Sequence, residues 1–460
     1  MFFSKREKKI LLLGLFLSLF LAALDQTIIS TASPAIIKSF NQMENYFWIT
    51  TSYLLSSVIV LPIFGRLCDI MSIKTLILIS NFIFLIGSFL CALSANIIQL
   101  SLFRFIQGIG GGGIFAITFS TIGFLYPPKE RGEIQGWIAS IFGISSILGP
   151  LLGSFLTSIL SWHWIFFINI PIGILALFII QTFFPKISTI SNHRFDILGS
   201  ALFIIGTLSL LSMLNFEHLS IEVKIVLFLM GILFFLWFYK YENKIEHPLF
   251  DFKLFKDSTF FKSGIATFFL GGTFISVLIF FPLYLTEKYK INSLKMGNLI
   301  SLITLGIVIS STISGKISSI TGKYKRILLF SNLWLIFVFF VLFFISYFYI
   351  LQNLEIFFMI LVGIGFGPIL PLYIVAVQNS VSKKRLGTAT SSIQFLRQLG
   401  ASTGSSLLGS IYHYFVFLYS EKGILLYFPC MMFLNSLFVF IGFLFTLNLP
   451  DLNLRKTHID

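Results

Sequence analysis

The sequence predicts an all-α integral membrane protein, and three observations lead to that fold class. Hydrophobic residues make up 57% of the 460 residues and charged residues 11%, whereas soluble domains carry about 25% charged residues. The mean hydropathy is +0.95. The apolar residues form long runs, and a helix needs roughly 20 of them to cross the hydrocarbon of a bilayer. The alternating segments of a transmembrane barrel are not found.

Fourteen apolar runs follow one another along the chain, and each is predicted to be a transmembrane helix. The first run continues through Asp25 without a clear cleavage site, so it is predicted to be a retained span and not a signal peptide. The predicted spans are Ile10–Thr31, Tyr46–Phe64, Thr75–Leu93, Ile97–Leu125, Ile134–Leu160, Trp164–Phe184, Phe195–Asn215, Val223–Tyr241, Phe261–Leu285, Met296–Ile317, Ile327–Tyr349, Ile356–Val377, Gly387–Phe417 and Ile424–Leu447.

The formal charge of +14 is concentrated in alternate loops. The positive-inside rule places that basic side in the cytoplasm, so both termini are expected there, with the spans in the inner (plasma) membrane. A nucleic-acid partner is not expected. The outer loop from Glu287 to Lys295 carries three lysines and runs against the bias. The basic side comprises Lys5, Arg6, Lys8, Lys9, Arg66, Lys74, Lys129, Arg131, Lys186, Arg194, Lys316, Lys323, Lys325, Arg326, Lys383, Lys384, Arg385, Arg455 and Lys456.

Few charged residues fall inside the predicted spans. Asp25 is the one acidic residue placed deep in a span. Arg104 and Arg397 are the two basic residues placed deep in a span. Charged side chains are costly in a bilayer and usually have a function there. We expect Asp25 and Arg104 to contact each other, directly or through Gln107 or water. Asp25 either gains and loses a proton as its surroundings change, or the pair only fixes the helix register as a static ion pair.

Polar residues next to these charges are candidates for a cavity or a substrate site. Gln26 and Thr27 follow Asp25, and Gln398 follows Arg397. Arg397 either binds substrate or fills a polar cavity, and the sequence favours neither.

Two loops indicate an internal repeat, which many transporters contain. GRLCDIMSIK begins at Gly65 and GKISSITGKYK begins at Gly315. Each places a glycine at the end of a span and basic residues beyond it. The first loop contains Arg66, Asp69 and Lys74. Asp69 is expected to accept hydrogen bonds from a helix N-terminus or an arginine, although a solvated loop charge is the alternative.

Several motifs, in order, resemble those of the major facilitator superfamily. GRLCDIMSIK is similar to its gating loop, and LSLFRFIQGIGGG, from Leu100, to its fourth-span motif. LDQTIISTASP, SWHWIFFINIPIG and FDILGS resemble stretches of the fourteen-span drug:proton antiporter group. GISSILGPLLGS is similar to the antiporter motif of span 5, with Gly149, Pro150 and Gly153 in place. Packing of these small residues against another helix is the simpler interpretation of that motif.

This resemblance implies two six-helix bundles with two extra helices between them. The N-terminal bundle would cover residues 1–185, the inserted pair 186–245, and a cytoplasmic segment with the C-terminal bundle 246–460. It further implies a proton-coupled antiporter that exports amphipathic drug-like compounds by alternating access, with protons and a small-molecule substrate as partners. A single chain is the expected transport unit, and the sequence leaves open whether a periplasmic adaptor takes up the cargo.

Other functions are less well supported by the sequence. A same-fold exporter of a metabolite, lipid or siderophore stays open, because the fold does not fix the substrate. GIGGGG, from Gly108, matches a dinucleotide motif but lies in an apolar span without a preceding strand. There is no Walker loop, and the six histidines show no ligand spacing. Neither a cofactor nor a metal site is therefore expected, and an enzyme, a sensor or a channel is disfavoured.

Overall fold

The computed structural model describes residues 5–40, 47–184, 195–215, 220–290, 293–348, 354–419 and 423–455. These ranges contain fifteen α-helices and two 3-10 helices, Phe252–Lys256 and Lys383–Arg385. The α-helices are α1 (Lys5–Phe40), α2 (Phe47–Ile70), α3 (Ile73–Ala92), α4 (Ile97–Leu125), α5 (Pro128–Ile159), α6 (Trp164–Phe167), α7 (Asn169–Phe183), α8 (Ile197–Asn215), α9 (Ile221–Glu242), α10 (Ser258–Tyr289), α11 (Ser293–Thr321), α12 (Lys325–Tyr347), α13 (Leu354–Ser380), α14 (Leu386–Tyr419) and α15 (Gly423–Leu447).

Most of these helices have the length and composition of membrane spans. Among the described residues, thirteen segments are long and apolar enough to cross a bilayer, and α6 and α7 together form one of them. α14 has the length, with 34 residues, but it is absent from those thirteen because it is too polar. The predicted all-helical membrane fold with fourteen long helical segments is therefore confirmed, and α14 is its polar member.

Two helices begin or end well outside the predicted spans. α1 continues to Phe40 and α5 begins at Pro128. Hydropathy marks only the part of a helix that lies in hydrocarbon, whereas a proline at the first turn followed by an acid is a helix start. The assignment of Arg131 to a loop is therefore wrong, because it lies in the first turn of α5 and is 1% exposed.

The gating loop is also mostly helical. Gly65, Arg66 and Asp69 lie in the last turns of α2, and Lys74 lies in the first turn of α3. Only two residues separate these helices. The Lys74 ammonium donates to the backbone carbonyl of Gln181 in α7 at 2.6 Å.

The sixth predicted span is interrupted in the structure. α6 ends at Phe167 and α7 begins at Asn169. Pro171 is the third residue of α7, where it has no N–H to donate and its ring would meet the carbonyl four residues earlier, that of Phe167. The interruption therefore lies where the proline requires it.

The basic outer loop is shorter than predicted. Glu287 and Lys288 belong to α10, Lys295 belongs to α11, and Lys290 ends α10 with a φ of 49°. Some predictions fall outside the described residues, namely Tyr46 and Tyr349 at span ends and the basic residues Lys186, Arg194 and Lys456.

The chain divides by its contacts into two units. Unit 1 comprises Met1–Leu125, Ile144–Phe252 and Lys383–Ser392, and unit 2 comprises Tyr126–Gly143, Lys253–Ser382 and Ile393–Asp460. α5 and α14 thus each contribute residues to both units. The predicted bundle boundaries after residues 185 and 245 stay a prediction.

α4 occupies the middle of unit 1. It packs against α2 and α3 along most of its length and also against α1. Its glycines permit close approach, since a Cβ on Gly108 would lie 2.4 Å from the Tyr53 carbonyl of α2. A Cβ on Gly110 would lie 2.3 Å from the Phe84 nitrogen of α3. The glycine run is therefore a packing element of a buried helix.

Unit 2 has a large apolar core between α10, α12, α13 and α15. Tyr284 of α10 stacks on Phe428 of α15, with ring centroids 3.7 Å apart and an interplanar angle of 7°. Asn332 of α12 donates to the Tyr373 hydroxyl of α13 at 3.2 Å. Aromatic packing and a few side-chain hydrogen bonds thus hold these helices together.

Candidate functional site

The candidate site of unit 1 is built around one carboxylate in the middle of α1. Asp25 is fully buried, and Arg104 of α4 is 1% exposed. Gln107 follows Arg104 by three residues, so both side chains lie on the same face of α4. Because α1 packs on that face, the two residues reach Asp25 from one direction.

Three side chains donate hydrogen bonds to the Asp25 carboxylate. Arg104 Nη1 forms an ion pair with Asp25 Oδ2. Gln107 Nε2 donates to Asp25 Oδ1 at 2.9 Å, and Asn169 Nδ2 of α7 donates to the same oxygen at 3.1 Å. Arg104 Nη1 also donates to Gln107 Oε1 at 2.8 Å. The contact that the sequence predicts between Asp25 and Arg104 is present, and Gln107 bridges it.

The guanidinium of Arg104 has further partners on α2. Its Nε donates to the Ile49 carbonyl at 3.1 Å, and its Cζ lies 4.3 Å from the centroid of the Tyr53 ring. The Phe166 ring is 5.9 Å away. A buried cation in this environment has an ionic, a hydrogen-bonded and an aromatic partner, so its position depends on α1, α2 and α4 together.

Sequence reasoning missed Asn169 and Ser88. Asn169 Nδ2 donates to Ser88 Oγ at 3.0 Å as well as to Asp25, and Ser88 Oγ donates to the Phe166 carbonyl at 2.8 Å. The signal was an asparagine inside the apolar stretch FFINIPIG, which needs a polar partner in a membrane. A single amide is tolerated at many places in a span, so the sequence alone did not identify its partner.

Neither Gln26 nor Thr27 donates a hydrogen bond to the Asp25 carboxylate. Gln26 is partly buried and forms none of the hydrogen bonds described above. Thr27 Oγ1 donates to the Ser145 carbonyl of α5 at 2.8 Å. Thr27 therefore belongs to the packing of α1 on α5.

The antiporter motif lies at that packing contact. A Cβ on Gly149 would lie 2.0 Å from Thr27 Oγ1, and a Cβ on Gly153 would lie 2.2 Å from Thr31 Oγ1. Pro150 is inside α5 between these glycines. The two glycines let the α5 backbone approach α1 more closely than any other residue would permit.

The side chain of Asp69, which belongs to α2, lies against the N-terminus of α14 within unit 1. Its carboxylate accepts hydrogen bonds from the backbone N–H groups of Gly387 at 2.8 Å and Thr388 at 2.9 Å. The Thr388 hydroxyl donates to it at 2.6 Å. A Cβ on Gly65 would lie 2.3 Å from the Ser391 Cβ. The predicted bonds from a helix N-terminus are therefore present, where a carboxylate is also favoured by the helix dipole.

Arg397 and Gln398 belong to unit 2 and are both partly buried. Arg397 lines a small pocket between α10, α13 and α14. Gln398 is its neighbour on α14 and is not among the residues of that pocket. Of the two candidates, Arg397 alone lines this pocket.

The Asp25 carboxylate in unit 1 is chemically able to bind and release a proton, and this requires no catalytic group. The Asp25 carboxylate and the Arg104 guanidinium are buried away from water. Two of the side chains that donate to the carboxylate come from α4 and one comes from α7. A proton bound by such a carboxylate changes which helices are held together.

Comparison with known proteins identifies similar chains. Residues 15–405 match the family model of the Major Facilitator Superfamily. Multidrug resistance protein 3 of Bacillus subtilis is 34% identical over 421 residues, which cover 89% of this chain and 80% of that protein. The multidrug transporter protein MdtP of the same organism is 31% identical over 424 residues, covering 89% and 76%. The structure of the proton:xylose symporter XylE is similar with a TM-score of 0.68 at 14% identity, covering 95% of this chain and 96% of that one.

Proposed function

We propose that this chain, which belongs to the Major Facilitator Superfamily and is a transporter, not an enzyme, exports amphipathic drug-like compounds in exchange for protons. The observation that carries the proposal is the fully buried Asp25 held by Arg104, Gln107 and Asn169. The drug-like substrate class is suggested by the relatives, two of which are named as multidrug proteins.

Asp25 is the group that would carry the proton. In its ionised form it links α1 to α4 and α7 through three donors. A proton on Asp25 cancels the charge that Arg104 faces and leaves that guanidinium with the Ile49 carbonyl, the Gln107 oxygen and the Tyr53 ring. Protonation therefore weakens the attachment of α1 to α4, which is a local change of the kind that biases a two-state rearrangement.

The driving force is sufficient for drug export. Each proton carried inward across about 100 mV contributes about 2.3 kcal/mol. This free energy supports a roughly fifty-fold substrate gradient for one proton per substrate. A single chain is proposed as the transport unit.

Orientation and gating are part of the same proposal. The basic residues at alternate helix ends favour a cytoplasmic location for both termini in the inner (plasma) membrane. Asp69 would stabilise one of the alternating states by holding the end of α2 on the start of α14. An ion pair between Arg385 and Asp251, at 3.0 Å, lies beside the same helix start.

Efflux and proton flux measured together in proteoliposomes test the proposal. The unmodified chain and Asp25→Asn are compared at several imposed pH gradients, with a fluorescent dye as the exported compound. Asp451→Asn, which makes the same change at an exposed carboxylate after α15, is the control. We expect substrate-linked proton movement in the unmodified chain and the control and its loss in Asp25→Asn. Proton-coupled efflux that persists in Asp25→Asn would refute the coupling role.

A further inference from the structure

Arg397 is a cation about one third of the way along a membrane-length helix. It is the twelfth residue of α14, and a rise of about 1.5 Å per residue places it roughly 16 Å from the start of that helix. This is about half of the 30 Å hydrocarbon thickness. Its backbone carbonyl lies against α10, where a Cβ on Gly271 would be 2.2 Å away. The base of the side chain is thus held in a close contact between two helices.

The side chain of Arg397 has no hydrogen bond or ion pair within the part of unit 2 that the structure describes. The two buried arginines, Arg104 and Arg131, differ from it. Arg104 is paired with Asp25, and Arg131 donates to the carbonyls of Tyr126 at 2.8 Å and Gln378 at 2.9 Å. An unpaired guanidinium at this depth is costly unless water or an anion reaches it.

The pocket beside Arg397 is mostly apolar. Its cavity is about 10 Å³, which is room for about one water molecule. A head group larger than a water molecule would therefore enter only when this cavity widens, and the side chains of its wall are at most 2% exposed. The wall is formed by Leu270, Phe366, Ile369 and Ile393, with Thr267 and Gln394 as the other polar side chains.

The composition of α14 is a second, independent observation. It is the one long helix of the described ranges that is too polar to qualify as a span. Polar residues within membrane helices face the protein interior or a water-filled cavity. The pocket beside Arg397 is therefore on the helix that is least suited to face lipid.

The charges deep in the spans add up to a positive excess. Among the described residues, only Asp25, Arg104 and Arg397 lie more than five positions from both ends of a helix of membrane length. The one carboxylate of these three residues, Asp25, forms an ion pair with Arg104. These charges leave one cation uncompensated and no free anion that would attract a cationic compound.

We propose that Arg397 binds the acidic head group of the transported compound, so that the substrates of this chain are amphipathic anions. A carboxylate, sulfonate or phosphate matches the planar fork of a guanidinium, which can donate two parallel hydrogen bonds. The apolar body of the compound would pack on the wall that contains Phe366 and Ile369, which are buried here and become accessible when the pocket opens in the transport cycle. This assignment rests on the proposed export function and narrows its substrate class.

Equilibrium binding of two matched probes tests this assignment. Naphthylbutyrate and naphthylpropyltrimethylammonium share one naphthylpropyl body and differ in the sign of the head group. Binding is measured by isothermal titration on the full chain in phosphatidylcholine nanodiscs, with empty nanodiscs subtracted. The variants are Arg397→Gln and Arg397→Lys, and the control is Arg326→Gln at an exposed arginine of α12.

We expect the unmodified chain and the control to bind the anion at least about tenfold more tightly than the cation. Arg397→Gln should lose about 10- to 100-fold in affinity for the anion and none for the cation. Arg397→Lys should keep part of the preference, because it retains the charge without the fork. Equal affinity for both probes, or undiminished binding of the anion by a folded Arg397→Gln, would overturn the assignment.

Two further measurements complete the test. The first distinguishes a lipid head group from the acid of a transported compound. The second distinguishes failure of the Arg397 assignment from failure of the proposed proton coupling. If phosphatidylglycerol in the nanodiscs abolishes binding of the anion at high salt, where repulsion by the charged lipid surface is screened, a lipid head group occupies Arg397 and the substrate assignment is wrong. Asp25→Asn should bind the anion as the unmodified chain does, because its binding needs no proton gradient. Proton-coupled efflux that persists in Asp25→Asn together with retained binding of the anion would count against the coupling role of Asp25 and leave the Arg397 site intact.

Discussion

Replacement of Arg104 by methionine provides a test of the buried ion pair. Methionine has a similar length without charge, so Arg104→Met leaves Asp25 with the neutral donors of Gln107 and Asn169 only. Both members of the pair are at most 1% exposed. Water therefore does not replace the lost partner, and the buried carboxylate must either stay ionised without a counter-charge or take up a proton, each of which costs free energy.

The expected cost follows from this burial. Removal of one partner from a buried ion pair destabilises a protein by about 3–5 kcal/mol. One kcal/mol lowers the melting temperature of a unit of this size by about 2–4 °C, so Arg104→Met should melt about 6–20 °C lower. The double variant Asp25→Asn/Arg104→Met removes both charges and keeps one oxygen that can accept from Gln107 or Asn169. This double variant should recover at least half of the melting temperature that Arg104→Met loses.

Thermal unfolding with a thiol-reactive dye measures these differences. Cys68 and Cys91 are buried and become reactive only when unit 1 unfolds. Arg326→Met, at an exposed arginine, is the control. A melting temperature of Arg104→Met within 2 °C of the unmodified chain would refute the burial argument. A double variant that is stable and still exchanges protons for substrate would show that the pair only fixes the helix register.

Other expectations follow from single contacts of the site. Asn169→Ala removes one donor to the central carboxylate and should reduce coupled efflux about 10-fold or more, measured as dye efflux at a fixed pH gradient, with unchanged expression. Asp69→Ala leaves the N–H groups of Thr388 and its neighbour without their acceptor, so reactivity of a cysteine placed at Thr388 towards a water-soluble maleimide should increase. Gly149→Ala places a methyl group on Thr27 and should lower stability by about 1–3 kcal/mol, measured as a lower melting temperature. Unchanged behaviour of any one variant would contradict the contact that it tests.

The sequence predicts the part of the site that rests on charge. Few charged residues can be buried in a bilayer, so the partner of Asp25 could be chosen from a short set that included Arg104. Asn169 and Ser88 were not found, because neutral polar residues occur in many spans and their partners depend on how α3 and α7 pack. Contacts of this kind are fixed by tertiary structure and leave no pattern in the sequence.

Helix bounds were less predictable than helix number. Hydropathy located the spans but not the turns that extend beyond the hydrocarbon, which is why Arg131 was assigned to a loop. The break before Asn169 depends on where the ring of Pro171 meets the preceding turn. It also sets where α7 begins, and Asn169, its first residue, donates to Asp25.

The glycines of α3 and α4 connect this packing to the site. Gly87 of α3 lies against the backbone of Gln107, where a Cβ would be 2.5 Å from the Gln107 Cα. Any side chain at Gly87 must therefore push α4 away at the residue that bridges Asp25 and Arg104. Gly87→Ala should impair coupling although no hydrogen-bonding group is removed, whereas Gly264→Ala, where a Cβ would first meet the tip of Leu396 at 3.0 Å, should not. Coupled efflux of the two variants, compared at equal amounts of folded protein, measures the difference, and equal efflux would mean that the close α3–α4 contact does not position Gln107.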